Sequence, residues 1–204
     1  MRDIRVASVQ FEHVPNDKPA NMLKIESFVE QAVRQGIEIL AFPECCITGY
    51  WHLRHLSQPE LLDLAEPVSD GPSSRRLVSL ARQARMTIGA GLIEVDADGR
   101  MYNTYVVAMP NGEWRRHRKI HAFVSQYLTS GSEYTVFDSP HGCRIGVLIC
   151  YDCKQPQEVI HEQRVGIDWA GTTSGADVLV ETVLQELGFT SAGQTDDVHA
   201  SGAG

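Results

Sequence analysis

The chain opens with a hydrophobic period of two and then shifts to a period near 3.6. Residues 4–11 (IRVASVQF) alternate as a strand does, and residues 21–35 place Met22, Ile25, Phe28, Val29 and Ala32 three or four apart, on one helix face. Residues 37–42 (IEILAF) are short and almost wholly apolar, the pattern of a strand covered on both faces, so a βαβ opening is predicted. Helical spacing returns over 73–85, and a strand over 86–95 stops at the turn sequence DADG (96–99). Strands over 102–109 and 113–119 are joined across Pro110-Asn111-Gly112, and strands over 134–138 and 143–150 flank SPHG (139–142), which predicts two hairpins. Helices between buried strands predict an α/β fold, and the hairpins make its sheets mixed. No internal repeat or coiled-coil heptad interrupts this order. The pattern fades after about residue 180. A domain over 1–189 followed by a small, polar, Gly-rich, disordered tail over 190–204 is expected.

Composition narrows the partners. The 204 residues suit one domain with a sizeable core. A formal charge of −8 repels a phosphate backbone, which argues against nucleic acid. No apolar stretch reaches the ~18 residues a membrane span needs, so no membrane partner and a cytoplasmic location are expected. Five cysteines, an odd number in a chain able to build its own core, predict reduced thiols.

Three reactive side chains stand where strand-like runs end. Glu44 closes IEILAFPE (37–44), Lys119 lies in WRRHRKIH (114–121), and Cys150 closes CRIGVLIC (143–150). Each alone has a plain reading: an exposed strand-end charge, one member of a solvated basic run with Arg115, Arg116 and Arg118, and a small buried hydrophobe. Together they are a base, a cation and a thiol at the edge of one sheet. A free thiol titrates near ~8.5, so a base that takes its proton creates the nucleophile. A sharp turn after Cys150 would expose the sulfur and aim the Tyr151 N–H at a developing oxyanion. Alternation puts Lys119 opposite Arg118 and on one face with His117 and His121.

VASVQF (6–11), AFPECCITGY (41–50), HRKIHAF (117–123) and TSGSEYTVFDSPHGCRIGVLICYD (129–152) resemble, in order, segments of the nitrilase superfamily of carbon–nitrogen hydrolases. The resemblance implies Glu44 as general base, Lys119 as stabiliser of the tetrahedral intermediate and Cys150 as nucleophile. It further implies an α-β-β-α sandwich, a homodimer or larger homo-oligomer, and hydrolysis of a small amide, carbamoyl compound or nitrile without cofactor or metal. Tyr50 and Trp51, beside Glu44, are candidate substrate-binding residues. So is Gln126, which stands nearest to where many members carry a second glutamate, with Glu133 a more distant substitute.

After Asp152 only an echo of the family pattern is read, in Arg164 and GADVLV (175–180). A member truncated or altered after about residue 153, with an uncovered sheet face, is the expectation. That keeps open a catalytically impaired binding or assembly protein. A third reading takes Cys150-Tyr-Asp-Cys153 as a C-x-x-C redox pair, which leaves Glu44 and Lys119 unexplained. A zinc site from Cys45, Cys46, Cys150 and Cys153 is disfavoured because adjacent cysteines on a strand point to opposite sides. His52, His55, His117 and His121 read as ordinary polar or supporting residues. Gly89-Ala90-Gly91 lies within a strand and is no phosphate loop. Tyr102-Asn103-Thr104 lies beside the site with no assigned role.

Overall fold

A computed structural model describes residues 3–154 and the strand 177–181, with only the backbone given for 153, 154 and that strand. Strands β1 (Val6–Ser8), β2 (Ile39–Ala41), β3 (Thr87–Val95), β4 (Met101–Ala108) and β5 (Trp114–Arg118) form one sheet in that order. The β1–β2 and β2–β3 pairs are parallel and the next two antiparallel. A second sheet has the order β6 (Thr135–Asp138), β7 (Arg144–Leu148) and β8 (Asp177–Glu181), with β6 antiparallel and β8 parallel to β7. The fold is α/β with mixed sheets. The GADVLV echo falls largely on β8. The expected loss of pattern after Asp152 and the 190–204 tail otherwise lie outside the described residues.

Helix α1 (Lys18–Gln35) begins where Asp17 accepts the Ala20 N–H at 2.9 Å and ends at Gly36, whose φ of 69° is the left-handed geometry of a helix stop. It buries Met22, Ile25, Val29 and Ala32. Helix α3 (Pro72–Ala84) buries Leu77, Leu80 and Ala81, and both helices pack with Leu40, Ile88, Ala90, Leu92, Val106 and Ala108 on one face of the first sheet. Residues of the opposite parity, among them Ile39, Tyr105 and Val107, meet Phe137, Ile145 and Val147 of the second sheet in a separate apolar cluster. Period-two alternation thus sends one set of side chains towards the helices and the other towards the second sheet.

Helix α2 (Gln58–Leu64), preceded by a 3-10 helix over Trp51–His55, was not read from periodicity. The Glu60 carboxylate accepts the Ser57 N–H at 2.8 Å and the Ser57 hydroxyl at 2.6 Å. Ser57-Gln-Pro-Glu60 is a capping-box spacing that marks this start. Among the described residues no helix is long and apolar enough to cross a membrane.

Candidate active site

The three strand-end side chains lie just past their strands. Strand β2 stops at Ala41, and Phe42-Pro43 carries the chain into a turn that holds Glu44. Tyr105 fixes that exit: its hydroxyl donates to the Phe42 carbonyl at 2.8 Å and accepts the Phe42 N–H at 3.2 Å. Two glycines of β3 make the turn possible. A side chain at Gly89 would strike the Tyr105 ring, and a Cβ at Gly91 would lie 2.3 Å from the Cys45 nitrogen. Gly89-Ala90-Gly91 therefore provides close approach for the Glu44 turn.

Glu44 and Lys119 are in contact. Lys119, the residue after β5, is 1% exposed at its side chain, and its Nζ lies 2.7 Å from Glu44 Oε1, itself 11% exposed. Burial strips water from both charges, so each is the other's main compensation. Asn103 in β4, to which sequence reasoning gave no role, joins them. Its Nδ2 donates to Glu44 Oε1 at 2.5 Å, its Oδ1 accepts the Cys45 thiol at 3.3 Å, and its carbonyl accepts the Lys119 N–H at 2.8 Å. The detectable signal was parity: Asn103 shares its face with Tyr105 and Val107 in a strand buried throughout.

Cys150 begins a 3-10 helix over Cys150–Lys154, two residues past β7, and is half-buried. Its φ is +49° and that of Cys45 is +46°, values a non-glycine residue adopts at a cost. The chain thus turns sharply at both thiols that follow the apolar runs. Asp152, fully buried, ties the Cys150 turn to the Lys119 segment. Its Oδ1 accepts the His121 N–H at 2.9 Å, while Oδ2 accepts from His117 Nε2, Ile120 N and Ile149 N, each at 3.3 Å. Burial alone would raise the Asp152 carboxyl. The bond from His117, the His121 N–H, the His117 charge and the Ile149 N–H outweigh it and hold the group below the usual carboxylate range. His117 is accordingly buried, where ordinary polar surface had been one expectation.

Aromatic rings surround the lysine. Its Nζ lies 4.7 Å from the Phe123 centroid and 5.9 Å from that of Tyr50. Tyr50 meets Trp51 edge-on at 5.0 Å, and Phe123 meets Tyr151 at 6.0 Å. Tyr50 is buried, whereas Trp51, Phe123 and Tyr151 are exposed. Of the candidate substrate-binding residues, Tyr50 thus lies near Lys119, and Trp51 packs against Tyr50. Gln126 and Glu133 stand exposed on the following segment. Arg116 and Arg118 turn to the other face, where both bind the buried Glu94 at 2.6 Å. The Cys153 side chain lies outside the described residues. Among the described residues, no group of three or more His, Cys, Asp or Glu is arranged to hold a metal ion.

The carbon-nitrogen hydrolase family model matches residues 5–177. The chain is 32% identical over 167 residues to the omega-amidase NIT2 of Bos taurus, an alignment covering 76% of this chain and 57% of that protein. It is 31% identical over 157 residues to a nitrilase of Pyrococcus abyssi, covering 76% and 58%. The chain therefore spans a little over half the length of these relatives. Among solved structures it resembles Saccharomyces cerevisiae Nit3, a member of branch 10 of the nitrilase superfamily, with a TM-score of 0.71 at 26% identity, over 87% of this chain and 64% of that one. With the family match running through the Glu44, Lys119 and Cys150 segments and on into β8, the chain belongs to the carbon-nitrogen hydrolases of the nitrilase superfamily.

Proposed function

We propose that this protein hydrolyses a non-peptide carbon–nitrogen bond of a small amide, carbamoyl compound or nitrile through a Cys150 thioester. The observation that carries the reading is the buried Glu44–Lys119 pair at 2.7 Å, with the backbone that follows Lys119, at Ile120 and His121, tied by Asp152 to the Cys150 turn. For an amide, Glu44 takes the thiol proton and the Cys150 sulfur attacks the carbonyl carbon. The charge gathered on oxygen is met by the Lys119 ammonium and the Tyr151 N–H. Collapse expels ammonia or an amine, which takes the proton from Glu44. Water, giving a proton to Glu44, then attacks the thioester, and the acid leaves as the thiol is restored. A nitrile would begin with the same attack at its carbon. None of these steps calls for a cofactor.

The exposed rings of Trp51, Phe123 and Tyr151 suit the mouth of a pocket for a compact, largely apolar substrate. Gln126, exposed on the following turn, can offer a substrate hydrogen bonds but cannot take a proton. An α-β-β-α sandwich and a homo-oligomer complete the reading. The helices α1 and α3 and the two sheets supply its first three layers, and the uncharacterised face of the second sheet would take the fourth.

The test is ammonia release by the full chain from a panel of primary amides, a carbamoyl compound and aliphatic nitriles, beside Cys150→Ala and size-exclusion chromatography. Turnover that disappears in Cys150→Ala supports the reading. Equal rates for the two proteins would refute catalysis by Cys150 and favour a binding or assembly role.

A further inference from the structure

We propose that Asn103 is a positioning residue that dedicates one oxygen of Glu44, Oε2, to proton exchange with Cys150. The inference rests on the reading of Glu44 as the base. Both described bonds to that carboxylate, from Lys119 Nζ and from Asn103 Nδ2, land on Oε1. A carboxylate whose Oε1 is held by two donors presents its remaining basic lone pairs through Oε2.

The amide can hold Oε1 in only one orientation. If it flipped, Oδ1 would face a carboxylate oxygen and Nδ2 would face the Cys45 thiol, replacing two attractive contacts with one repulsion and one mismatch. Cys45 keeps the amide from turning by donating its S–H to Oδ1 at 3.3 Å. Burial, with the neighbouring Glu44 charge, pushes the Cys45 thiol well above its ordinary range, so the proton it donates stays in place. Asn103 is itself 1% exposed, and water does not compete for these bonds. Its carbonyl also holds the Lys119 N–H, so one residue sets both partners of the ion pair.

In the step this arrangement serves, the Cys150 proton passes to Oε2, leaving a thiolate and a neutral carboxyl. Asn103 and Lys119 keep their bonds to Oε1 throughout, so the carboxyl does not rotate between taking the proton and returning it. The titratable groups described around Glu44 are Lys119 from the segment after β5 and Cys45 from its own turn, with Tyr50 beyond the Lys119 ammonium.

The experiment follows the rate of Cys150 alkylation by iodoacetamide against pH, assigned by peptide mass spectrometry, with ammonia release measured in parallel. It uses the full chain and the variants Asn103→Leu, Asn103→Asp and Cys45→Val. Asn103→Leu removes the donor that fixes Oε1, and the loss of orientation is expected to slow alkylation at neutral pH about tenfold, against the gain in carboxylate basicity that the missing bond brings. Asn103→Asp places a second carboxylate against Glu44, two groups that then share a proton, and its profile should move to higher pH by about one unit or more while recovering at alkaline pH. A merely structural role would lower the rate uniformly. An Asn103→Asp profile superimposable on the wild type in pH, or wild-type alkylation in Asn103→Leu, overturns the proposal. Cys45→Val, which releases the amide with little change of volume, should show part of the Asn103→Leu loss. If Asn103→Asp does not fold, an unchanged Cys45→Val profile overturns the proposal instead. Alkylation is read without a substrate, so shifted profiles in a protein that turns over no amide would remove the hydrolase reading and leave the role of Asn103 standing.

Discussion

The Asp152 carboxylate accepts the His121 backbone N–H at 2.9 Å across 31 residues of chain, and this bond joins the turn of Cys150 to the segment of Lys119. One residue separates Asp152 from Cys150, and one separates His121 from Lys119. Removing the carboxylate would orphan the N–H groups of Ile120, His121 and Ile149 together with His117 Nε2. Asp152→Ala should lower the unfolding free energy by about 3 kcal/mol or more, read from urea melts. A loss under 1 kcal/mol would mean that the clasp is not holding the two segments.

The same carboxylate predicts an acid dependence. Its folded value lies below that of the unfolded chain, so its contribution is fully present above about pH 4 and is lost as pH falls through the folded value. Wild type and Asp152→Asn should therefore differ most in stability above pH 4 to 5 and converge in more acid solution. Denaturant melts at several pH values check this. A gap that widens on acidification contradicts the sign.

Lys119→Met takes the charge from a site where the cation is 1% exposed. On the proposed mechanism kcat falls by about 10²- to 10³-fold, the scale of losing an oxyanion donor. Steady-state kinetics on any substrate found in the panel would show it, and an unchanged kcat would take Lys119 out of the charge-stabilising role.

Thiol reactivity should separate cleanly. Burial pushes the Cys46 thiol up to about 12, and burial with the Glu44 charge takes Cys45 well above its ordinary range. Peptide mapping after brief iodoacetamide treatment near neutral pH should find Cys150 labelled ahead of Cys45, Cys46 and Cys143. Label appearing first on Cys46 would show that the turn around Glu44 opens readily.

Gly91→Ala tests how Glu44 is seated. The added carbon would lie 2.3 Å from the Cys45 nitrogen and 3.0 Å from Glu44 backbone atoms. A cost of about 1–3 kcal/mol and loss of turnover are expected. Gly99→Ala is the control, in open space at φ +78°, and should cost about 1 kcal/mol without touching activity. Full activity in Gly91→Ala would show that the Glu44 turn has slack.

What could be read in advance divides along physical lines. Periodicity reports which face a residue takes, so α1, α3, both hairpins and the placing of Lys119 on the face opposite Arg118 were legible. It overran the strands, placing ends at Glu44, Lys119 and Cys150 where they fall at Ala41, Arg118 and Leu148. Pro43 and the positive φ of Cys45 and Cys150 show why: the backbone has already left the extended state at these residues. Contacts between distant segments leave no local trace. The bond from Asn103 to Glu44 spans 59 residues: parity within β4 puts Asn103 on the face of Tyr105 and Val107, but no spacing names Glu44 as its partner. The Ser57–Glu60 box was visible in sequence and was passed over because α2, seven residues long, is too short for a clear helical stripe.

Glu44, Asn103 and Lys119 all hang from the first sheet, whereas Cys150 and Asp152 arrive with the second. The proposed catalytic set is therefore a joint between two halves rather than a pocket within one. During synthesis the Glu44–Lys119 pair can close while Cys150 has yet to emerge, and on the proposed mechanism the sulfur meets its base only when the halves dock. Any motion that parts the two sheets would, on that mechanism, disarm the sulfur without disturbing the pair.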